Sequence, residues 1–289
     1  MFSITYKQNI NNSLQTYSPK ASAPLGCNYL VYEDFNYAQN IALHNLSGGT
    51  GFSDNWQVQN GNTQVPGYQT IDGTGSLSYL DLQTAGRHIT GGQSYLASGR
   101  RLNTEVNGPM SQYIDPSNLS IGSAKGDQEL WISFILQKNQ NNDEEVYVEL
   151  HNDNTPWCNL CQGNLRLGAG YYGSGSNVSG QRRWSLFFNG TIYPTSIPVN
   201  QGAPAFLVLK LTFGNTATDI ELFVNPTPIA GLPPATPDIS IQTTTPFVFK
   251  SLAFYGGSNL VKALWTKSDS PLHMNVLVQI KIHLLTCLR

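Results

Sequence analysis

The sequence predicts an all-β protein folded as a two-sheet antiparallel sandwich of the jelly-roll kind. Three observations favour this class. The segment Ala205–Pro226 has the pattern of a long β-hairpin, short strand-like segments recur between turn residues, and no amphipathic helix pattern lies between Cys27 and Tyr255. The chain has 289 residues, enough for one large β domain.

The hairpin is the clearest element. Its first strand alternates, so that one face carries Leu207, Leu209, Leu211 and Phe213. Gly214-Asn215 supplies turn chemistry, and a second strand is predicted from Thr218 to Val224. Both strands are therefore expected to lie half or fully buried in a sheet.

Other segments show the same periodicity and are separated by turn pairs such as Asn60-Gly61, Asp72-Gly73 and Asn189-Gly190. The segment Leu130–Leu136 is strongly apolar and is expected to be a central strand. In chain order, the further predicted strands are Tyr29–Phe35, Ser76–Leu82, Leu130–Leu136, Val146–Leu150, Asn164–Gly168, Arg183–Phe188 and Phe247–Tyr255.

Composition narrows the classes of partner. Charged residues make up only 12% of the chain and the net charge is −2, with no basic stripe, so nucleic acid is not expected as a partner. The pairs Arg100-Arg101 and Arg182-Arg183 are interpreted as solvated strand ends. No apolar stretch approaches the roughly 20 residues that a membrane span requires. Residues 1–26 are predicted to be a disordered leader, and Met1–Lys20 lacks the hydrophobic run of a signal peptide.

Four blocks, taken together and in order, resemble a concanavalin A-like jelly roll of the laminin G/pentraxin type. They are Val31–Tyr37, Leu46–Trp56, Leu130–Phe134 and the hairpin segment that ends at Pro226. Such domains occur in secreted bacterial multidomain proteins. The resemblance covers roughly Cys27 to Gly257 and implies a domain over residues 27–259. It also implies an extracellular location, neighbouring domains, and a non-catalytic binding or adhesion role with a glycan ligand.

Candidate sugar-binding residues are aromatic side chains in polar loops, because sugars stack on aromatic faces and bond to polar rims. Tyr171 and Tyr172 lie in a Gly/Ser-rich segment that ends at Asn177, and Trp157 lies in a second polar loop. The alternative for the tyrosines is that they pack onto the sheet. Trp56 is assigned to structure, as an indole that closes one end of the sandwich.

An enzyme is the alternative function. Retaining glycanases of related fold carry a Glu-x-Asp-x-Glu strand, and the nearest match is Glu145-Val-Tyr147-Val-Glu149, in which tyrosine replaces the central aspartate. Alternation places Glu145, Tyr147 and Glu149 on one face. Carboxylates on a solvent-facing strand are also commonplace, so catalysis is not the favoured hypothesis. A ligand-free spacer domain is the third alternative.

Metal and cysteine signals are weak. No cofactor is predicted; Ca²⁺ is conceivable through Asp143, Asp153 and Asp219, but their spacing forms no motif. Cys158 and Cys161 form a CxxC whose interpretation stays open between a loop disulfide, free thiols and a zinc site.

The tail, residues 260–289, departs from the family pattern. After Gly257 the family pattern has a glycine stretch and then a last strand. Leu260–Ile280 instead shows no arrangement of turn-forming residues and no clear hydrophobic periodicity. If synonymous codons are chosen for these residues, the next reading frame can encode the peptide GEGSLDEIRFAPTYECVSPD. This peptide contains the missing strand. We therefore predict a frameshift near Asn259-Leu260, an aberrant tail with at most an improvised strand or helix, and a Cys287 thiol without a designed partner.

Overall fold

The computed structural model describes residues 27–58, 70–71, 76–80, 86–90, 97–122, 128–138, 145–153, 164–169, 177–178, 181–226, 236–257, 277–279 and 285–287. Within them, the strands in chain order are β1 (Cys27–Tyr29), β2 (Gln57–Val58), β3 (Thr70–Ile71), β4 (Ile89–Thr90), β5 (Ala97–Arg101), β6 (Ile114–Asp115), β7 (Ser120–Ile121), β8 (Gln128–Gln137), β9 (Glu145–His151), β10 (Leu165–Ala169), β11 (Asn177–Val178), β12 (Gln181–Phe188), β13 (Thr191–Pro198), β14 (Pro204–Phe213), β15 (Thr218–Val224), β16 (Ile239–Gln242), β17 (Ser251–Gly257), β18 (Leu277–Gln279) and β19 (Leu285–Cys287).

The described residues form two large antiparallel sheets and a small two-stranded one, β6-β7, which confirms the predicted all-β sandwich. Sheet A has the strand order β16-β15-β14-β8-β18-β4-β3, with β19 paired to β8 and to β1. Sheet B has the order β11-β12-β10-β9-β17-β5-β2, with β13 paired to β12. The chain crosses from sheet A to sheet B between β8 and β9, returns at β14, and crosses again to place β17 between β9 and β5. The helical structure of the described residues is one 3₁₀ turn, Ser111–Tyr113.

The core lies between the two inner faces. Sheet A contributes the buried leucines 207, 209 and 211 of β14, and sheet B contributes Val146, Val148 and Leu150 of β9. Both sets come from alternate positions, because successive side chains of a strand point to opposite faces. Trp56 and Trp184, at 0% and 1% exposure, belong to the same core. The structural role predicted for Trp56 is confirmed.

The hairpin β14–β15 is confirmed with the predicted bounds of its second strand. Its register pairs Phe213 with Thr218 and Leu207 with Val224. The central position of the apolar strand is also confirmed, since β8 lies between β14 on one side and β18 on the other.

Two predicted strands are wrong. Beyond Tyr29, the β pairing of the segment to Phe35 is an isolated bridge from Tyr32 to Thr50, and Phe35 adopts a φ of 52°. There the Glu33 carboxylate accepts the backbone N–H of Phe35 at 2.9 Å, a local bond that competes with ladder pairing. Residues 76–80 form no strand either, and Leu80 is 68% exposed.

The last predicted strand starts late, because β17 begins at Ser251, while Phe249 makes an isolated bridge to Ile121. The periodicity analysis missed β13, which contains Pro194 and Pro198. Proline lacks an N–H donor and is tolerated at a sheet edge, and β13 pairs with β12 alone among the described strands.

Two short strands fall in the tail that we predict to be aberrant. β18 pairs with β8 and β4, and β19 pairs with β1 and touches β8 at Trp131. They lie along the edge of β8 that would otherwise carry unpaired backbone groups. The register places Cys287 opposite Cys27. The frameshift stays a prediction, and the nucleotide sequence across Leu260–Ile280 tests it: a stop codon in the shifted frame would exclude it.

Candidate functional site

The outer face of sheet B, which points away from the core, carries a cluster of aromatic and charged side chains. Register places Arg166 of β10 beside Glu149 of β9, and Tyr147 of β9 beside Tyr255 of β17. Phe187 of β12 flanks Arg166 on its other side. We call these five residues the outer-face cluster. An outer sheet face is usually polar and solvated, so this composition calls for an explanation.

Its centre is a buried ion pair. Arg166 Nε donates to Glu149 Oε2 at 2.5 Å, and the side chains are 8% and 0% exposed. Burial raises the pKa of Glu149 to about 7, although the neighbouring Arg166 charge and its hydrogen bond act to lower it. A carboxyl group with that pKa is divided between its charged and neutral forms at neutral pH.

Aromatic rings enclose the arginine. The rings of Tyr147 and Tyr255 stack with centroids 4.5 Å apart and planes 17° apart. The Arg166 guanidinium carbon lies 5.0 Å from the Tyr147 centroid, 5.8 Å from that of Tyr255 and 5.6 Å from that of Phe187. These distances suit cation–π attraction, which strengthens where water is excluded. Tyr147 and Tyr255 are 7% and 4% exposed.

A glycine shapes the backbone next to the stack. Gly168 of β10 pairs with Tyr147 of β9. A Cβ at this position would lie 2.0 Å from the Val146 carbonyl oxygen and 2.7 Å from the Tyr147 Cβ. Only glycine therefore permits this close approach of β10 to the tyrosine.

Polar groups lie at one end of the cluster. The imidazole of His151 accepts the Asp153 N–H at Nδ1 over 3.4 Å, and the Ser251 hydroxyl donates to the Asp153 carbonyl at 3.3 Å. Asn164 immediately precedes β10, is 4% exposed, and its amide helps to lower the pKa of Glu149. No hydrogen bond of regular geometry joins Asn164 Nδ2 to a described residue.

The sequence-predicted sugar-binding residues mostly lie outside the described residues. Tyr171 and Tyr172 fall in segment 170–176, and Trp157 falls in 154–163. Asn177 lies in β11, opposite Arg182 of β12. The two segments join opposite ends of β10, which are about 13 Å apart at 3.3 Å per residue. Arg166 lies between those ends.

The predicted alternation of side chains along β9 is confirmed, but the expected solvent exposure of its carboxylate is not. Tyr147 and Glu149 share the face opposite Val146, as expected, yet Glu149 is fully buried rather than solvent-facing. The interpretation of Arg100 as a solvated strand end is also wrong, because its side chain is 5% exposed and paired with Glu33. Sequence alternation gives the face of each side chain, but the cross-strand neighbour that buries it depends on register.

Sequence reasoning also missed Glu33, which is 0% exposed in the core. Its carboxylate accepts from the Tyr37 hydroxyl and Trp56 Nε1 at 2.9 Å each and from Arg100 Nη1 at 3.0 Å. Burial raises the pKa of Glu33, and these donors oppose that rise. The sequence signal was a glutamate two residues from both Val31 and Phe35, on the apolar face of a segment predicted to be a strand.

No metal centre emerges from the described part of the chain, where no three His, Cys, Asp or Glu side chains converge. Of the three conceivable calcium ligands, Asp153 follows β9 in sheet B, Asp219 lies in β15 of sheet A, and Asp143 is outside the described residues. Cys158 and Cys161 are also outside them. Among the described residues, no helix has the length and apolar character to cross a membrane.

Comparison with known proteins adds a fold likeness. No family model matches the chain, and no curated protein matches it. Among solved structures it is similar to a lectin, described as lectin UEA-II complexed with galactose, over 89% of this chain and 98% of that one. The two share 8% identity at a TM-score of 0.40. A likeness of this degree carries no argument about ligand or site.

Proposed function

We propose that this chain is a non-catalytic, extracellular binding module of the concanavalin A-like kind that holds a glycan against the outer face of sheet B. One observation carries the proposal: stacked Tyr147 and Tyr255 lie beside the buried Arg166–Glu149 pair on the face of sheet B opposite the main core, where with Ala97 and Ala253 they form a second, smaller buried cluster. Aromatic faces and fixed polar groups are what sugar recognition requires.

The segments that carry Trp157 and the Tyr171-Tyr172 pair are joined in sequence to the two ends of β10, the strand that carries Arg166. Because the cluster tyrosines are nearly buried, a glycan ligand has to displace whatever shields them.

A glycan array probed with the purified chain tests the proposal. Replacing Tyr255→Leu should weaken binding to any retained glycan by about tenfold, the equivalent of one lost aromatic contact. The matched control is Phe223→Leu, since Phe223 is 3% exposed and stacks on Trp131 in sheet A, with centroids 6.0 Å apart. The control should change stability without changing affinity.

The predicted loop tyrosines need a separate variant. Replacing both Tyr171 and Tyr172 with alanine should abolish glycan affinity and leave the melting temperature nearly unchanged. A large fall in melting temperature would instead identify them as packing residues. If no glycan binds the wild-type chain, the binding function is wrong and the spacer alternative is favoured.

Catalysis remains the second candidate because the pKa of Glu149, about 7, suits a general acid. Two features oppose it. Arg166 holds the carboxylate, and Tyr147 stands at the centre of the motif in place of the aspartate that retaining glycanases of related fold carry. A reducing-end assay on every glycan that the chain binds on the array distinguishes an enzyme from a binding module. Turnover that is lost in both Glu145→Gln and Glu149→Gln would establish the enzyme.

A further inference from the structure

The first and the last of the described strands meet in an antiparallel pair. In this ladder Cys27 of β1 lies directly opposite Cys287 of β19, and Tyr29 lies opposite Leu285. The two cysteines stand near opposite ends of the 289-residue chain. The fold, rather than proximity in the sequence, therefore brings them into register.

The backbone geometry of such a pair suits a disulfide. Residues directly opposite each other in an antiparallel ladder have Cα atoms about 4.5 or 5.5 Å apart, depending on whether the two residues exchange hydrogen bonds. A disulfide joins residues whose Cα atoms are about 4.4–6.8 Å apart. Both kinds of antiparallel pair fall inside this range, so a bond between Cys27 and Cys287 requires no movement of either strand.

The ladder has little other support among the described residues. β1 and β19 have three residues each, and β1 pairs there with β19 alone. The further pairing of β19 is a single contact, Leu285 with Trp131 of β8. A two-stranded ladder this short is marginally stable in water. A covalent link between its strands would therefore decide whether the ladder persists.

We propose that Cys27 and Cys287 form a disulfide that joins the first and last described strands and so keeps β1 and β19 beside β8. The link does not depend on a glycan ligand. It fits the proposed extracellular location, because disulfides form and persist in oxidising compartments. It concerns the chain as its sequence stands, whatever the origin of its tail, and it would give Cys287 a partner that the predicted aberrant tail does not provide.

Formation of the bond needs an oxidant, for which a small-molecule disulfide such as glutathione disulfide serves. The thiolate of one cysteine attacks glutathione disulfide, which forms a mixed disulfide and releases one glutathione thiolate. The thiolate of the other cysteine then attacks the protein sulfur of the mixed disulfide and releases the second glutathione. The two cysteine thiols lose two electrons and two protons, and the two glutathione thiols receive them.

Cys158 and Cys161 are the competing partners, and they lie outside the described residues. Four cysteines allow three complete pairings. A bond between Cys27 and Cys287 closes the longest loop of all, and the entropic cost of loop closure in an unfolded chain rises with loop length. A high yield of this bond in the native chain would therefore report the folded register.

Oxidation of the full chain by glutathione disulfide, followed by alkylation of free thiols and tryptic digestion without reduction, tests the proposal. Trypsin places Cys27 in peptide 21–87, Cys287 in 282–289 and both other cysteines in 139–166, so mass spectrometry identifies each linkage. The linked pair 21–87 with 282–289 should be about tenfold more abundant after oxidation of the native chain than after oxidation in urea. Equal yields would overturn the proposal, as would native-state products in which Cys27 and Cys287 are mainly alkylated or joined to 139–166.

Cys287→Ser provides a second measurement. In oxidising buffer its melting temperature should lie about 5 °C or more below that of the wild-type chain, because the link no longer constrains the unfolded state. With dithiothreitol the two should melt together. Cys161→Ser is the matched control, which removes a thiol outside the pair and should leave the linked peptides in place. A Cys287→Ser effect that is the same in both buffers would also overturn the proposal.

Discussion

Two buried carboxylate–arginine pairs lie in the described part of this protein. Their chemistry is the same, but their carboxylates differ in the number of hydrogen bonds that they accept. Both carboxylates are fully buried and both arginines nearly so. Inside the core, Glu33 accepts hydrogen bonds from Arg100, Trp56, Tyr37 and the Phe35 backbone. On the outer face of sheet B, Glu149 has Arg166 and the Asn164 amide beside it, and its Oε1 makes no hydrogen bond of regular geometry to a described residue.

The number of hydrogen bonds that each carboxylate accepts predicts how much its pair stabilises the fold. A buried charge is tolerable when its hydrogen bonds are complete, and a half-satisfied network costs more than an apolar replacement would. The Glu33 network is complete and links the chain near Tyr37 to Trp56 and β5. Among the described residues, the Glu149 carboxylate has fewer donors than that of Glu33, so we expect its pair to contribute less to stability at neutral pH.

The largest effect is expected from breaking the complete network. Replacing Glu33→Ala leaves the buried Arg100 without its counter-charge and removes the partner of Trp56 Nε1. The free energy of unfolding, measured in urea, should fall by about 3–5 kcal/mol. A loss below about 1 kcal/mol would contradict a structural role for Glu33.

A pH-dependent effect should distinguish the second pair. The folded-state pKa of Glu149, about 7, lies above its usual value of 4.5, so the folded chain binds more protons between these values. Its contribution to stability is complete below pH 4.5 and is lost as pH rises through 7. The loss is on the order of 3 kcal/mol, at 1.36 kcal/mol per pKa unit.

The variant Glu149→Gln lacks this titration. Relative to wild type, its free energy of unfolding should therefore increase as the pH is raised from 5 to 8. Unfolding curves at both pH values, with Glu221→Gln as a control, measure the difference. A wild-type-to-variant difference that stays constant with pH would mean that Glu149 titrates normally.

A smaller effect is expected from Arg166→Met, which keeps an apolar stem beside the tyrosines and removes the charge. Arg166 lowers the pKa of Glu149, so its loss should raise that pKa further and favour the neutral carboxyl. Stability should change little at pH 5.5 and fall by about 1–3 kcal/mol at pH 8. Equal losses at both pH values would indicate lost packing rather than lost charge pairing.

The smallest effect is expected from a partly exposed pair. Lys210 Nζ lies 3.0 Å from Glu221 Oε2 and 3.3 Å from Glu129 Oε1, and its side chain is 20% exposed. Lys210→Met should change the free energy of unfolding by less than about 1 kcal/mol, because exposed ion pairs are screened by water and salt. A loss of unfolding free energy as large as that of Glu33→Ala would contradict the distinction between buried and partly exposed ion pairs.

Much of the fold could be predicted because strand periodicity and turn chemistry are local. The alternation of β14, the bounds of β15 and the central position of β8 follow from sequence spacing and apolar content. Prediction failed at Tyr29–Phe35, where side-chain-to-backbone bonds replace the ladder, and at β13, whose prolines are tolerated only because it lies at an edge.

The candidate site divides in the same way. The sequence alone determined that Tyr147 and Glu149 share a face, because the two-residue period of a strand is a property of the chain itself. Tertiary structure alone decided that Arg166 and Ala253 flank Glu149 in the sheet and that Tyr255 stacks on Tyr147. These contacts depend on the register between strands that are far apart in sequence, and register is set by how both faces of the sheet pack.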